Sequence, residues 1–543
     1  GTGAQANYVD IAILSGTDAS YYPDIVAISE ANNNAVVEDQ RPSPAVLTDV
    51  FVDAAAAAGG DGTVTRPYQT ISPAIPRVVA GGTIYVAAGT YQESLGGWRD
   101  FEIFKSLSLI GAGSGSTIVE LSGLQHGVEI RPDGTGNVLV EGIAFTKRAA
   151  NTKSSDWAVI VGETGGTFNN LTFKDVEVAW GQARNLYLAN ATYNSVVLEN
   201  CNIHHSGAWG FSARGTITSM AVTDSHFDNN GWDDPSHGIG FDLDMPISVS
   251  SLTVTGGTFN NNKSKGINLV NTNNATFTDI TASNNSGASA GGFGVSLWEW
   301  IGTSQNLVFN NPTLTDNATD GLLIGSETGM TVSGVTITGG TITGNGRGGV
   351  FIYRAAGWGD GVIEDVTITQ ANISGNTQYG VGVIMPYETV MAERNWWGHA
   401  TGPSHTSNPH GTGMGGDAVT DGVDFTPWYA TSTTTPATEF VEVVHNPTIA
   451  WSDTIQGGVD AAVAGDTVNV AAGTYVEQVE IAKDLTLAGV GAGTIIQSPD
   501  VLTKLFVTGT NNNKPVVYIH DAADVTVEDL VVDGAGKGNA NVR

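Results

Sequence analysis

LTDNATDGLLIG (Leu314–Gly325), ITGNGRGGVFIY (Ile342–Tyr353) and ISGNTQYGVGVI (Ile373–Ile384) share one pattern. Each opens on an aliphatic residue, places Asn three positions later and Gly four after that, and ends in an alternating apolar run. The pattern extends outward from these three segments. The Asn column reads Asn230, Asn262, Asn285, Asn317, Asn345, Asn376, and Phe227, Phe259, Ala282, Leu314, Ile342 and Ile373 precede its members by three positions. The Gly column reads Gly210, Gly238, Gly266, Gly294, Gly321, Gly349, Gly380, with steps of about 28 residues and one near 31. Self-similarity at 20–50 residues marks stacked-repeat architectures.

After each Gly the chain alternates: Ile267 and Leu269 inward with Asn268 and Val270 outward, then Val350 and Ile352 inward with Phe351 and Tyr353 outward. Period-two patterning is that of a half-buried strand. One such unit cannot bury its apolar face alone, so copies must stack. Asn at a fixed point suits a tight turn, because it tolerates left-handed backbone, and stacked Asn amides can bond along the axis. These features predict an all-β, right-handed parallel β-helix. A β-sandwich would need turn signals every 8–12 residues and antiparallel pairing.

Composition bounds the function. The 543 residues carry 54 Asp and Glu against 22 Lys and Arg, a net charge of −32, which argues against a nucleic-acid partner. An acidic surface is compatible with divalent cations, with polysaccharide or with simple solubility. The single cysteine, Cys201, excludes an intrachain disulfide and a cysteine metal cluster. No apolar run reaches the ~18 residues of a transmembrane helix.

Five segments follow. Residues 1–47 are irregular, with Val9–Leu14 and Ile25–Ile28 as candidate strands, and read as an outer segment or link. Residues 48–394 form the β-helix, opened by a short amphipathic helix in which Ile71, Ile75, Val78 and Val79 recur at helical spacing. Residues 395–429 hold Trp396, Trp397 and Trp428 and read as a closing cap, with a sugar-stacking platform as the alternative. Residues 430–438 are a linker. Residues 439–543 start a second β-helix module, because TIQGGVDAAVAGDTVNVAAGTYVE (454–477) repeats TISPAIPRVVAGGTIYVAAGTYQE (70–93) without a gap. The first copy then carries an insert near Leu95–Asp100. The repeat stops in mid-pattern at Arg543, which implies a longer natural chain.

The VAAGTY opening unit, the Asn and Gly columns and the NWWG…TGP…FTPW closing unit (Asn395–Gly398, Thr401–Pro403, Phe425–Trp428) resemble the right-handed parallel β-helix superfamily that includes pectate lyases. They look most like the tandem β-helix modules of large secreted or surface-attached bacterial proteins. The resemblance covers nearly all of residues 48–543. It implies the fold, an extracellular or cell-surface location, and a range of roles from polysaccharide enzymes to adhesins and scaffolds. Fold alone does not choose among them.

Laid over one another, the outward positions give one column of Ala189, Arg214, Asp242, Val270, Trp298, Gly325 and Tyr353. The next column holds Tyr187, Ser212, Gly240, Asn268, Ser296, Leu323 and Phe351. This sets Arg214 and Asp242 one rung apart, ~4.8 Å, with Asp244 on the same side. Asp242, Asp244, Arg214 and His237 are the candidate catalytic groups. Trp298, Tyr353, Phe351, Asp233, Asp234, Lys263 and Lys265 are candidate substrate contacts. Paired carboxylates do acid–base work on a glycosidic bond, whereas a Lys, Arg or His beside an Arg would serve proton abstraction next to a uronate carboxylate. In the second case Arg214, or calcium at Asp242 and Asp244, would neutralise that carboxylate; no motif fixes a cofactor. Each of these residues taken singly reads equally well as a solvated surface group.

Three functions remain open: a surface scaffold or adhesin that binds other surface proteins or itself, a polysaccharide-active enzyme (lyase, epimerase or glycoside hydrolase), and a carbohydrate-binding protein without turnover. The duplicated opening unit and the lack of a sharp catalytic signature put the scaffold first.

Overall fold

The computed structural model describes residues 11–13, 37–39 and 45–537, apart from 94–97, 122–124, 132–134, 147–155, 288–290, 355–360, 385–387, 414 and 433–438. The chain is an all-β parallel solenoid. Its core is built from vertical columns of apolar side chains. One runs Val50, Ile84, Leu109, Val140, Phe173, Leu198, Val222, Val254, Phe277, Phe309, Ile337, Ile368, each paired in parallel register with the next. A second runs Ile103, Ile130, Val161, Leu188, Ala213, Leu243, Leu269, Leu297, Ile324, Ile352, Val383. Nearly all of these are fully buried. Stacked Phe pairs, such as Phe277 on Phe309 at 4.8 Å, add to area burial.

The Asn column is a hydrogen-bonded ladder. The Asn230 amide donates to Asn262 Oδ1 (2.9 Å), Asn285 to Asn317 (2.9 Å), Asn317 to Asn345 (3.0 Å) and Asn345 to Asn376 (2.9 Å). Each Oδ1 also accepts the backbone N–H of the preceding ladder Asn, and each Nδ2 reaches a main-chain carbonyl as well. The ladder ends on Asp417, whose carboxylate accepts the Asn376 amide at 2.8 Å. The left-handed residue is not the ladder Asn, as expected, but the one before it: Asn229, Asn261, Asn284, Asp316, Gly344 and Gly375 have φ between 56° and 70°. The turn is made one position earlier, which frees the ladder side chain to point into the core.

The ladder also fixes the Gly column. A Cβ on Gly266 would lie 2.9 Å from Asn285 Nδ2 and 2.6 Å from the Gly294 carbonyl. On the preceding coil the residue in that position is Gly240, whose Cβ would meet Asn262 Nδ2 at 2.7 Å and the Gly266 carbonyl at 2.8 Å. Gly238, placed in the column by even spacing, belongs instead to a loop that ends in the short 3-10 helix Pro235–His237. Two extra residues are absorbed there, so the positions that follow on this coil move by two, and Gly266 resumes the column on the next.

At the N-terminal end the helix is one turn, Ala74–Arg77, and Val78 already begins the strand Val78–Val86. Ile71, Ala74, Ile75 and Val78 are buried over the first coil. The later copy is longer, Ile455–Ala461, capped by Thr454 Oγ1 accepting the Gly457 N–H. In the leading segment Ile11–Ile13 pairs with Val37–Asp39 in parallel; Ile25–Ile28 lies outside the described residues. Residues 95–97 of the expected insert and most of the expected linker also lie outside them.

Trp397 and Trp428 are wholly buried, so they pack rather than present a stacking face. The strand Trp428–Tyr429 pairs with Thr448–Ser452, which seats the second repeat directly on the first. There Val441–Val444 pairs antiparallel with both Thr448–Ser452 and Asp466–Val470, a local departure from the parallel rule. Within the described residues no helix is long and apolar enough to cross a membrane.

Asn317 is 1% exposed and both donates and accepts in the ladder. Asn317→Ala strands buried groups on both neighbouring coils and is expected to destabilise the solenoid by about 3 kcal/mol. A lowered midpoint in chemical denaturation and proteolysis near residues 285–345 would report it; an unchanged midpoint would count against the ladder.

Candidate functional site

The corrected register decides which groups meet. Ser212 pairs with Asp242, and Asp242 with Asn268. Asp242 therefore stands in the column of Tyr187, Ser212, Asn268 and Ser296, not beside Arg214. Arg214 and Asp244 follow Ser212 and Asp242 by two positions on their own strands, where the register of the pair shifts, so neither stands in the column of Asp242. The separation of Arg214 and Asp242 is diagonal rather than one rung.

These strands floor a cavity of about 310 Å3. Arg184, Trp209, Arg214 and His237 wall it, and Asp242, Asp244, Lys265 and Asn268 lie toward its base. Of the expected residues it thus gathers Asp242, Asp244, Arg214, His237 and Lys265. Its base is a hydrogen-bonded chain: Lys265 Nζ donates to Asn268 Oδ1 (2.8 Å), and Asn268 Nδ2 donates to Asp242 Oδ1 (2.8 Å). Asp242 is 5% exposed. Burial, then the charge of Asp244, pushes its carboxyl up to about 6, against the opposing pull of Asn268, Lys265 and Arg184. Burial drives the Lys265 amine down, with Asp242 and Asp244 partly restoring it.

Arg184 is held by the strand Arg184–Glu199, and its Nε donates to Ser212 Oγ at 2.9 Å. Its guanidinium lies 4.2 Å from the Trp209 ring and 4.6 Å from the Tyr187 ring, while Arg214 is 5.9 Å from Tyr187. These aromatics thus hold cations. Burial lowers the Arg184 guanidinium, which still stays charged. His237 packs on Trp209 with tilted rings 4.7 Å apart and bonds Asp234 Oδ2 at 2.8 Å, and Asp234 also caps the loop helix. The two-residue insertion that displaced Gly238 is thus the loop that carries His237 to the cavity rim.

The other expected contacts lie elsewhere. Asp233, within the loop, and Lys263 are exposed and lie outside the cavity lining. Trp298, Phe351 and Tyr353 form a separate outer patch with Phe293, Leu323 and Tyr379, and Arg347 covers Phe351 at 3.8 Å. Arg184, Trp209 and Asn268 were not among the candidates. The signal for the first two was present: both sit at outward strand positions in one column, with Arg184 opposite Trp209. Cys201 is buried and its thiol is pushed up to about 12 by burial, so it is not a nucleophile.

The family model described as right handed beta helix region matches residues 157–358. With the parallel coils above, the chain is a right-handed parallel β-helix protein. Among solved structures it is similar to the A-module of mannuronan C-5 epimerase AlgE6 from Azotobacter vinelandii (20% identity, TM-score 0.36, 58% of this chain and 94% of that one). It is also similar to the catalytic domain of a GH87 alpha-1,3-glucanase in complex with nigerose (13% identity, TM-score 0.37, 65% and 64%) and to pectate lyase Pel9A (15% identity, TM-score 0.29, 73% and 83%). All three are polysaccharide-active enzymes, and the likenesses are distant ones of coiled architecture. No curated protein sequence matches the chain.

A carboxyl raised in the folded state makes folding weaker as pH rises from the ordinary carboxylate value through about 6. Above that pH the cost is full, about 3 kcal/mol. Asp242→Asn keeps an acceptor for Asn268 and removes the charge. It is expected to melt higher than wild type at pH 8, with the difference vanishing below pH ~4. A pH-independent difference would refute the buried charge.

Proposed function

We propose that the protein is a polysaccharide-active enzyme that abstracts the proton beside a uronate carboxylate in this cavity. The observation that carries the reading is the hydrogen-bonded Asp242–Asn268–Lys265 chain in a cavity that the Arg184 and Arg214 guanidinium groups also line. A chain of net charge −32 here concentrates Arg184, Arg214 and Lys265 around two acids. That arrangement suits an anionic sugar more than a neutral one. A desolvated carboxyl and a depressed amine side by side, at a cost in stability, favour chemistry over a solvated surface.

Each residue takes a role. Arg184 and Arg214 would bind the substrate carboxylate and neutralise the charge that grows on it as the adjacent C–H bond breaks. Lys265, with its amine lowered, would take the proton as general base. Asn268 fixes the Lys265 nitrogen, and Asp242 orients Asn268 from behind. His237 stands at the rim, where it can meet the leaving side of the sugar. Return of a proton to the opposite face would give epimerisation; loss of the neighbouring glycosidic oxygen would give an unsaturated end. An acidic polysaccharide of this kind lies outside the cell, so the extracellular location goes with the proposal.

The test is a panel of uronate and neutral polysaccharides, followed by NMR for exchange of the ring proton and for unsaturated ends. Exchange or elimination is expected with a uronate polymer alone, with a rate that climbs with pH and levels off below the ordinary lysine range. Lys265→Met should lower kcat by about 10³-fold. Binding without exchange on any uronate would reduce the protein to a carbohydrate-binding module, and no binding would return the scaffold reading.

A further inference from the structure

The outward column that holds Asp242 continues four rungs in the N-terminal direction, through Ser212, Tyr187 and Ile160, to Glu129 and then Glu102. At Glu129 it meets a second cluster, centred on His126, which stands two rungs from the Arg184 wall of the cavity through Trp157. His126 is fully buried, clamped between the rings of Trp98 (4.8 Å) and Trp157 (4.7 Å). The clamp fixes the ring plane and leaves both imidazole nitrogens without a hydrogen-bond partner. Nδ1 is 3.6 Å from Glu163 Oε2 and 4.0 Å from Glu129 Oε2, too far for hydrogen bonds. Glu163 Oε2 is itself buried and unpartnered, although the side chain is 32% exposed.

A fully buried imidazole with no partner on either nitrogen is costly unless something fills the gap. One ligand atom from each of His126, Glu129 and Glu163 lies within 4.8 Å of the others. Metal–ligand bonds of ~2.0–2.2 Å place neighbouring donors roughly 3–4 Å apart, and the two His126–carboxylate separations, 3.6 and 4.0 Å, match that spacing. The charge balance agrees. Arg99 and Arg131 are taken up by Glu102 and Glu129, through contacts that include Arg99 to Glu102 at 2.7 Å and Arg131 to Glu129 at 3.3 Å. Two guanidinium groups thus meet three carboxylates, Glu102, Glu129 and Glu163, so the cluster carries one negative charge in excess.

We propose that His126, Glu129 and Glu163 bind a first-row divalent transition ion of the Zn2+ class. An imidazole donor disfavours calcium and magnesium, which take oxygen ligands. The partly exposed Glu163 side gives the ion its route in and leaves a coordination position for water. Because His126 and Glu163 belong to successive coils, the ion would staple the early part of the solenoid.

Full-length chain freed of metal by a chelator would be titrated with Zn2+ by equilibrium dialysis and with Co2+ by visible absorption. Wild type would be compared with His126→Gln, Glu163→Gln and, as a control for the adjacent imidazoles His204 and His205, His204→Gln. One ion per chain is expected, with a visible Co2+ spectrum and a higher melting temperature on adding Zn2+. His126→Gln should weaken binding by at least 100-fold and Glu163→Gln by at least 10-fold, with His204→Gln unchanged. Glu163→Gln, at a partly exposed position, guards against loss of folding in the His126 variant. No stoichiometric binding of either ion, binding that survives both substitutions, or loss confined to His204→Gln would overturn the site.

Discussion

The ladder of buried Asn amides is the constraint on which the remainder of the solenoid depends. Apolar columns alone do not fix register, because a strand pair can slip by two residues and still face its apolar side inward. The amide ladder removes that freedom. Each rung supplies donors and acceptors in a dry interior, where an unmatched one costs more than a matched one contributes. It also occupies the space beside the following strand, so that strand must begin with a residue lacking Cβ. The Asn and Gly columns are two sides of one packing requirement, seen where a Cβ on Gly266 would meet Asn285 Nδ2 at 2.9 Å.

A frame locked in this way can tolerate irregularity between its fixed points. The coil from Gly210 to Gly240 carries two more residues than even spacing suggests, and the surplus is extruded as the Trp232–His237 loop rather than passed along the strands. That loop brings His237 onto Trp209 at the cavity rim. Directly beneath, the rigid strands hold Asp242, Asn268 and Lys265 in consecutive bonds of 2.8 Å. The proposed chemistry thus sits where an inserted loop overhangs a floor of paired strands, and the cost of desolvating Asp242 is borne by the core columns below it.

Much of this was legible in the residues. The repeat, the parallel coils, the inward set Phe227, Phe259, Leu314, Ile342, Ile373 and the stacking of Asn amides all follow from spacing and side-chain chemistry. Register across the insertion did not follow, because Gly238 and Gly240 both fit the local pattern and only contact with Asn262 tells them apart. That ambiguity misplaced Asp242 against Arg214. Arg184 and Trp209 escaped notice because the repeat is weakest in the early coils, where strands reach 16 residues and the Asn column has not begun. Trp298, Phe351 and Tyr353 read as contacts of the same site because aromatic residues at outward positions look alike whether they line a groove or pack on one another.

Register across the insertion is the claim that every site assignment inherits, and it can be read covalently. In a parallel pair, residues on adjacent rungs have Cα atoms ~4.8 Å apart, within disulfide reach, whereas the diagonal neighbour at ~7–8 Å is not. The buried native Cys201 does not compete. Oxidation of the Ser212→Cys/Asp242→Cys double variant should give a rapid intrachain disulfide, and the Arg214→Cys/Asp242→Cys variant should stay reduced. The reverse outcome would restore the evenly spaced register and contradict the account.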